Sequence, residues 1–257
     1  MITPIEIKVN LDGDVAEALT RLECTGRPAV DRRIWFAEPR PTGPDTAPTL
    51  LSSRIAIRLR CGETDDLTVK LRPCLPSQLV GRWTTSFTDD ALRYRIEEDW
   101  NAQRRVLSAS AVSDRPAGSL RDATVHGADV TTVLDTAQRQ LLVSCTPPGV
   151  AVDRLLAMGP IASTKWTNVR VGDLHVDAER WTIADLDLLE LSLRVTPAHG
   201  ESHTEVRNRA LHRQRKFEAA VRRRGLHVAT GDTKTQQVLA ALTARSIPRL
   251  SDADQPR

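Results

Sequence analysis

Five short runs in which apolar and polar residues alternate constrain the fold of this chain more than any other feature. The runs are Ile5–Leu11, Arg54–Arg60, Leu67–Arg72, Arg93–Trp100 and Leu188–Val195. Because successive side chains of a strand point to opposite faces, each run predicts a strand with one apolar and one polar face. Between Arg54 and Arg95 the polar faces carry mainly Arg and Lys. A solvated sheet face is the ordinary alternative, but like charges opposite each other across strands are destabilising unless they are neutralised.

The cations on these faces are candidates for binding phosphate groups. Arg binds oxyanions through a planar fork, whereas Lys acts as a point charge. The candidates are Lys8, Arg58, Arg60, Lys70, Arg72, Arg93, Arg95, Lys165 and Arg170. Lys165 and Arg170 have opposite parity in one strand-like run, so both can point to the same side only if a bulge separates them.

Carboxylates lie among the cations and are candidates for binding a hard cation. They are Glu6, Glu97, Asp177 and Glu190. Mg²⁺ typically takes one or two carboxylates together with phosphate oxygens and water, and such an ion polarises a phosphoryl group for hydrolysis. The sequence therefore predicts Mg²⁺ or Mn²⁺ as the cofactor.

Composition and motifs exclude several other classes. The aromatic fraction of 4% and the net charge of +3 argue against a nucleic-acid binder that stacks bases. The sequence contains no run of about 18 apolar residues, so it predicts no membrane span. No secretory signal is evident at the N-terminus. The four cysteines have no zinc-site spacing, so we expect reduced thiols in the cytoplasm. The common nucleotide-binding glycine loops and hydrolase motifs are also missing from the sequence.

The remaining segments predict helices and connections around the strands. Helical spacing indicates helices at about 14–23, 130–141, 201–224 and 233–244, and four prolines mark an exposed connection over 38–48. We expect a tunnel domain over 1–225, followed over 226–257 by a short helix and a flexible tail.

The order of these segments resembles the CYTH superfamily of triphosphate tunnel metalloenzymes over about 2–224. The family opens with an E-x-E-x-K strand, similar here to Pro4–Lys8, and continues with an aromatic strand, similar to Trp35-Phe36. An R-x-R strand and an L-T-V-K strand follow. Here they are Arg58-Leu59-Arg60 and Leu67-Thr68-Val69-Lys70. A strand with Arg and Glu is similar to Arg93–Glu97, and the closing acidic strand is similar to Leu189–Ser192.

The resemblance implies an α+β fold, an eight-stranded antiparallel β-barrel with flanking helices, whose interior tunnel binds a triphosphate. It implies catalytic roles for Glu6, Lys8 and Glu190 and a metal-dependent phosphohydrolase activity. The sequence departs from the family pattern at two positions, and both departures reduce the number of metal-binding carboxylates. Pro4 stands where the family has its first Glu, and Ser192 replaces the second Glu of the closing strand.

Three hypotheses follow from the sequence. The first is a metal-dependent triphosphate hydrolase. The second is a tunnel that binds triphosphate, polyphosphate or a nucleoside triphosphate without turnover. The third is an interaction protein that uses the basic helix from Arg207 to Arg224. The sequence leaves a homodimer open.

Overall fold

The structure is a computed structural model that describes residues 2–40, 49–90 and 92–246. Most of the predicted proline-rich connection, over 41–48, and the predicted tail after Pro248 lie outside the described residues. Within those residues, no helix has both the length and the apolar content needed to cross a membrane.

Eleven strands and five α-helices make up the described chain. The strands are β1 Ile5–Asp12, β2 Val30–Pro39, β3 Ile55–Cys61, β4 Asp65–Leu71, β5 Phe87–Asp89, β6 Leu92–Asn101, β7 Arg104–Arg115, β8 Leu155–Val171, β9 Leu174–Ile183, β10 Leu186–Val195 and β11 His227–Val228. The α-helices are α1 Val15–Arg21, α2 Thr49–Ser52, α3 Thr136–Cys145, α4 His203–Arg223 and α5 Lys234–Ser246. Short 3-10 helices span Pro76–Gln78, Gly81–Thr84, Asp122–Thr124 and Val130–Val133.

Nine of the strands close into a barrel. The ring runs β1-β10-β9-β8-β2-β3-β4-β7-β6 and returns to β1, while β5 and β11 extend it at the edges. All neighbours in the ring are antiparallel except β1 and β6, which pair in parallel from Ile5 opposite Glu98 to Lys8 opposite Asn101. The predicted ring of eight antiparallel strands is therefore corrected to nine. A closed ring with an odd number of strands must contain at least one parallel pair.

Apolar residues on the outer faces of the strands form the main packing surfaces of the barrel. Helices α1 and α4 cover the outer faces of β1, β9 and β10, where Ile7, Leu191 and Phe217 are fully buried. The outer faces of β3, β4, β6 and β7 pack against α3 and the connecting segments. Since the apolar faces point outward, the alternation turns the charged faces into the barrel lumen.

Two parts of the middle of the chain differ from the sequence prediction. The helix expected over 130–141 is a 3-10 turn followed by α3, because Asp135 caps α3 by accepting a hydrogen bond from the amide N–H of Gln138 at 2.7 Å. Strand β7 was not predicted, since its core Ser108–Val112 consists of small and apolar residues without charged alternation.

Helix α5 packs inside one end of the barrel. Its residues Val238 and Leu239 join a buried cluster with Ile34, Phe36 and Trp181. Register places Phe36 opposite Arg58 and Ile34 opposite Arg60, so these apolar side chains share the lumen face with the cations. The C-terminal helix is therefore part of the lumen wall.

Candidate functional site

The lumen is lined by charged faces from neighbouring strands. Register pairs Glu6 with Asp99 across the closure of β1 and β6, and pairs Arg58 with Thr68 between β3 and β4. On β4 and β6, Lys70 and Glu97 belong to the same faces by alternation. The strands thereby bring together most of the charged residues that the sequence singled out.

A cluster of three carboxylates lies at the junction of β1 and β6. Glu6, Glu97 and Asp99 each place a carboxylate oxygen within 4.8 Å of the others, the only such group of three found among the described residues. The Asp99 side chain is fully buried. Two of these three, Glu6 and Glu97, were predicted as metal ligands. Asp99 lies in the predicted strand Arg93–Trp100, two residues after Glu97 and so on the same face, but it was not predicted as a ligand.

Four cations surround this cluster. Lys70 lies 2.9 Å and the Arg72 Nε lies 3.0 Å from the Asp99 carboxylate, and Lys8 lies 3.1 Å from Glu6. Arg194 pairs with Glu97. These contacts make the centre of the lumen a compact network in which each carboxylate has at least one cationic neighbour.

The network shifts the pKa values of its members. Burial alone raises the pKa of Asp99, but attraction from Lys70, Lys8 and Arg72 outweighs it and holds the pKa far below its ordinary range. Burial likewise opposes ionisation of Glu6, yet Lys8 and Lys70 lower its pKa. For Lys8, the attraction of Glu6 and Glu190 outweighs burial and raises the pKa. All three groups are therefore charged at neutral pH.

Arg58 stands apart from this network as a cation with unused binding capacity. Within the described residues it forms no ion pair, and its buried Nε has no hydrogen-bond partner. Burial, followed by repulsion from Arg60, lowers its pKa to about 10. Asp66, Glu179 and Glu6 attract the Arg58 guanidinium without forming an ion pair with it, so its donors are available to an anionic ligand.

One end of the lumen opens into a cavity of about 420 Å³ that we call the mouth pocket. Its charged lining is Arg32, Arg60, Arg93, Arg95, Lys165 and Glu179. Asp66 takes up part of the charge, since it accepts from Arg60 at 2.8 Å and from Arg32 at 3.0 Å. Asp114 and Asp177, which lie outside the lining, pair with Arg93 at 2.6 Å and with Lys165 at 2.8 Å. Arg95 is therefore the lining cation that has no ion pair among the described residues. The volume of the mouth pocket falls within the range of small-molecule sites.

Of the other predicted site residues, Asp177 and Arg170 lie outside the central network, whereas Glu190 is close enough to Lys8 to raise its pKa. Asp177 is partly exposed and pairs with Lys165 at 2.8 Å. Glu190 lies 3.9 Å from the ammonium of Lys234 on α5. A bulge between Trp166 and Val169 gives Arg170 the same parity as Lys165, but Arg170 is exposed and its Nε donates to the Gly172 carbonyl at 3.0 Å.

Several lumen residues were not singled out as site residues from the sequence, among them Asp99, Glu179, Arg194 and Lys234. Glu179 and Arg194 continue the polar faces of Asp177 and Ser192 by two residues, so strand alternation could have identified them. The position of Lys234 depends on the insertion of α5, for which no local pattern exists.

Comparison with known proteins shows the fold. No protein-family model matches the sequence, and no curated protein matches it. Its structure is similar to that of HpAC1 from Hippeastrum, described as a candidate adenylyl cyclase with a dominant triphosphatase activity. The identity is 14%, the match covers 92% of this chain and 94% of HpAC1, and the TM-score is 0.56. The PH1819 protein of Pyrococcus horikoshii matches with a TM-score of 0.45 at 11% identity over 92% of this chain and 99% of that protein. The barrel and the likeness to HpAC1 confirm the CYTH-like tunnel fold.

Proposed function

We propose that the lumen binds a triphosphate-containing ligand and hydrolyses it with a divalent cation. The observation that carries the proposal is the half-buried Arg58, whose buried Nε has no hydrogen-bond partner and which has no ion pair within the described residues. The triphosphatase activity described for HpAC1, which has the same fold, supports it.

The ion pairs of the lumen provide a route for binding. Lys8, Lys70 and Arg72 hold Glu6 and Asp99 in the ligand-free protein. Phosphate oxygens accept hydrogen bonds from the same donors as carboxylate oxygens do. In the proposed complex the three cations and Arg58 contact the phosphate chain, and the carboxylates are released from part of their ion pairing.

The released carboxylates fit a hard cation. Glu6, Glu97 and Asp99 offer oxygen ligands from two adjacent strands within 4.8 Å of one another, and oxygen donors are what Mg²⁺ and Mn²⁺ prefer. When bound, such an ion would polarise a phosphoryl oxygen and lower the pKa of its water. The roles of Lys8 and Arg58 in this scheme are to neutralise and orient the phosphates.

Binding without turnover is the second candidate. Pro4 and Ser192 remove two carboxylates that the CYTH resemblance implies, and Glu190, the remaining one on β10, lies beside Lys234. The basic helix α4 is a weaker candidate for a macromolecular interface, since Arg209 and Arg222 pair with Glu201 and Glu218 inside the chain.

Phosphate release from inorganic triphosphate, thiamine triphosphate and ATP tests the proposal, with Mg²⁺, Mn²⁺ or EDTA and with melting curves on the same samples. We expect metal-dependent release that is lost in Glu6→Gln and retained in Glu63→Gln, a control in an exposed hairpin loop. Stabilisation without release selects the second candidate. If none of the three compounds is hydrolysed and none stabilises the protein, both candidate functions are contradicted.

A further inference from the structure

Helix α5 is anchored inside the lumen by a buried lysine. The Lys234 ammonium lies 2.8 Å from a Glu179 carboxylate oxygen and 4.1 Å from the centre of the Trp181 ring. The Lys234 side chain is 5% exposed. One turn further along, Val238 and Leu239 are buried against the apolar part of the lumen.

Lys234 compensates the repulsion between two facing carboxylates of the sheet. Glu179 on β9 and Glu190 on β10 are directly opposite each other, and like charges in that position are destabilising. Lys234 lies near both carboxylates. Burial opposes ionisation of Glu179, but attraction and a hydrogen bond from Lys234 hold its pKa far below the ordinary range. Withdrawing the helix would leave both carboxylates without this counter-ion.

The anchored helix forms one side of a second cavity, of about 340 Å³, which we call the helix pocket. Its strand side carries Arg58, Lys70 and Arg72, and its helix side carries Thr233, Thr235 and Gln236. Gln236 is occupied, because its side-chain oxygen accepts from the backbone N–H and the hydroxyl of Thr233. Thr235 is the half-buried member of this turn that borders the cavity without serving the cap.

The two sides of the helix pocket are suited to the same anion. The strand side contains Arg58, whose unpaired Nε is buried, together with two cations of the central network. The helix side presents the first turn of α5, where the helix dipole favours negative charge, while the Gln236 N–H donates to the Thr233 hydroxyl at 3.4 Å. Arg104, which donates to Gln236 at 3.4 Å, adds a further cation at the rim.

We propose that the first turn of α5 is a wall of the triphosphate site, with Thr235 as a positioning residue that borders the phosphate chain. This inference rests on the proposed function, because it names the segment that completes the same site.

Charge substitutions at neighbouring positions test it. Thr235→Asp and Thr235→Lys place opposite charges at the pocket, whereas Gln237→Asp and Gln237→Lys place them on the same turn, at a side chain that bonds the Asp232 carbonyl. The measurement is the Kd of inorganic triphosphate in EDTA by calorimetry. We expect about tenfold weaker binding for Thr235→Asp and several-fold tighter binding for Thr235→Lys, with changes below about twofold at Gln237.

The outcomes separate this inference from the proposed function. If the unmodified protein binds no triphosphate, the proposed function fails and this inference fails with it. If the unmodified protein binds triphosphate, the role of α5 alone is overturned by either of two results. One is that both Thr235 variants have the same Kd as the unmodified protein, and the other is that the Gln237 variants change the Kd as much as the Thr235 variants do. Should the Thr235 variants fail to fold, hydrogen exchange decides. Triphosphate must then slow exchange of the α5 amides in the unmodified protein, and unchanged exchange overturns the inference.

Discussion

Replacement of the most buried carboxylate of the lumen, Asp99→Asn, should lower the stability of the ligand-free protein but raise its affinity for triphosphate. The substitution keeps the shape of the side chain but removes the charge that Lys70 and Arg72 contact at 2.9 and 3.0 Å. At an effective dielectric constant of about 20, each such contact is worth roughly 5 kcal/mol before desolvation is counted. Breaking a buried pair by removing one partner costs about 3–5 kcal/mol in measured cases.

The lower end of that range applies, because the lumen is partly open to solvent. A loss of about 3 kcal/mol corresponds to a fall of about 6–12 °C in Tm for a chain of this size. With inorganic triphosphate in EDTA the ligand-induced rise in Tm should be larger than in the unmodified protein, since the cations left by Asp99 are free for phosphate, and it offsets about half of the loss. A tenfold gain in affinity adds about 1.4 kcal/mol of ligand stabilisation.

Differential scanning fluorimetry with and without inorganic triphosphate measures both effects. Asp89→Asn is the matched control, because Asp89 is 61% exposed and pairs with Arg82 at the surface, where such pairs contribute about 0–1 kcal/mol. Two results would refute the reasoning: a ligand-free Tm for Asp99→Asn equal to that of the control, or a ligand-induced shift no larger than in the unmodified protein.

Two further predictions concern the charge balance of the lumen. Arg58→Ala should weaken triphosphate binding at least tenfold. It should leave the ligand-free Tm unchanged or higher, because Arg58 has no ion pair within the described residues. Calorimetry measures the binding and melting curves measure the Tm, with Arg215→Ala, at an exposed position on α4, as the control. The free energy of unfolding should fall as the pH drops below about 4, because the pKa values of Glu6 and Asp99 are lower in the folded than in the unfolded state, so that the unfolded chain binds more protons. Urea titrations from pH 2.5 to 7 measure how the free energy of unfolding depends on pH, and Asp99→Asn should reduce this dependence. An unchanged dependence in the variant contradicts the lowered pKa of Asp99.

The lumen faces were predictable because they depend only on alternation along single strands. Lys8, Arg58, Lys70 and Glu97 share the lumen through a period of two residues, which the sequence displays directly. The chemical character of the tunnel could therefore be derived without knowing how its strands are ordered. The assignment of individual roles to these residues stays a prediction.

The carboxylate cluster and the helix insertion depend on contacts between distant segments. Asp99 meets Glu6 only because β6 pairs in parallel with β1, and Lys234 meets Glu179 only because α5 enters the lumen. Strand β7 was missed for another reason: its serines and alanines fit beside crowded lumen side chains and display no amphipathic period. Local patterns carry no information about such pairings.

The closure of the ring through β1 also has a consequence for how the chain is made. Ile5 pairs with Glu98 on one side and with Val195 on the other. At a synthesis rate of about 5–20 residues per second, the roughly 100 residues between those partners take about 5–20 s to emerge. During that interval β1 has an unpaired edge, which is a template for pairing with other chains. Slow folding is also expected from contacts so distant in sequence. Until Val195 has emerged, this edge of β1 is therefore a place at which the nascent chain is exposed to association with other chains.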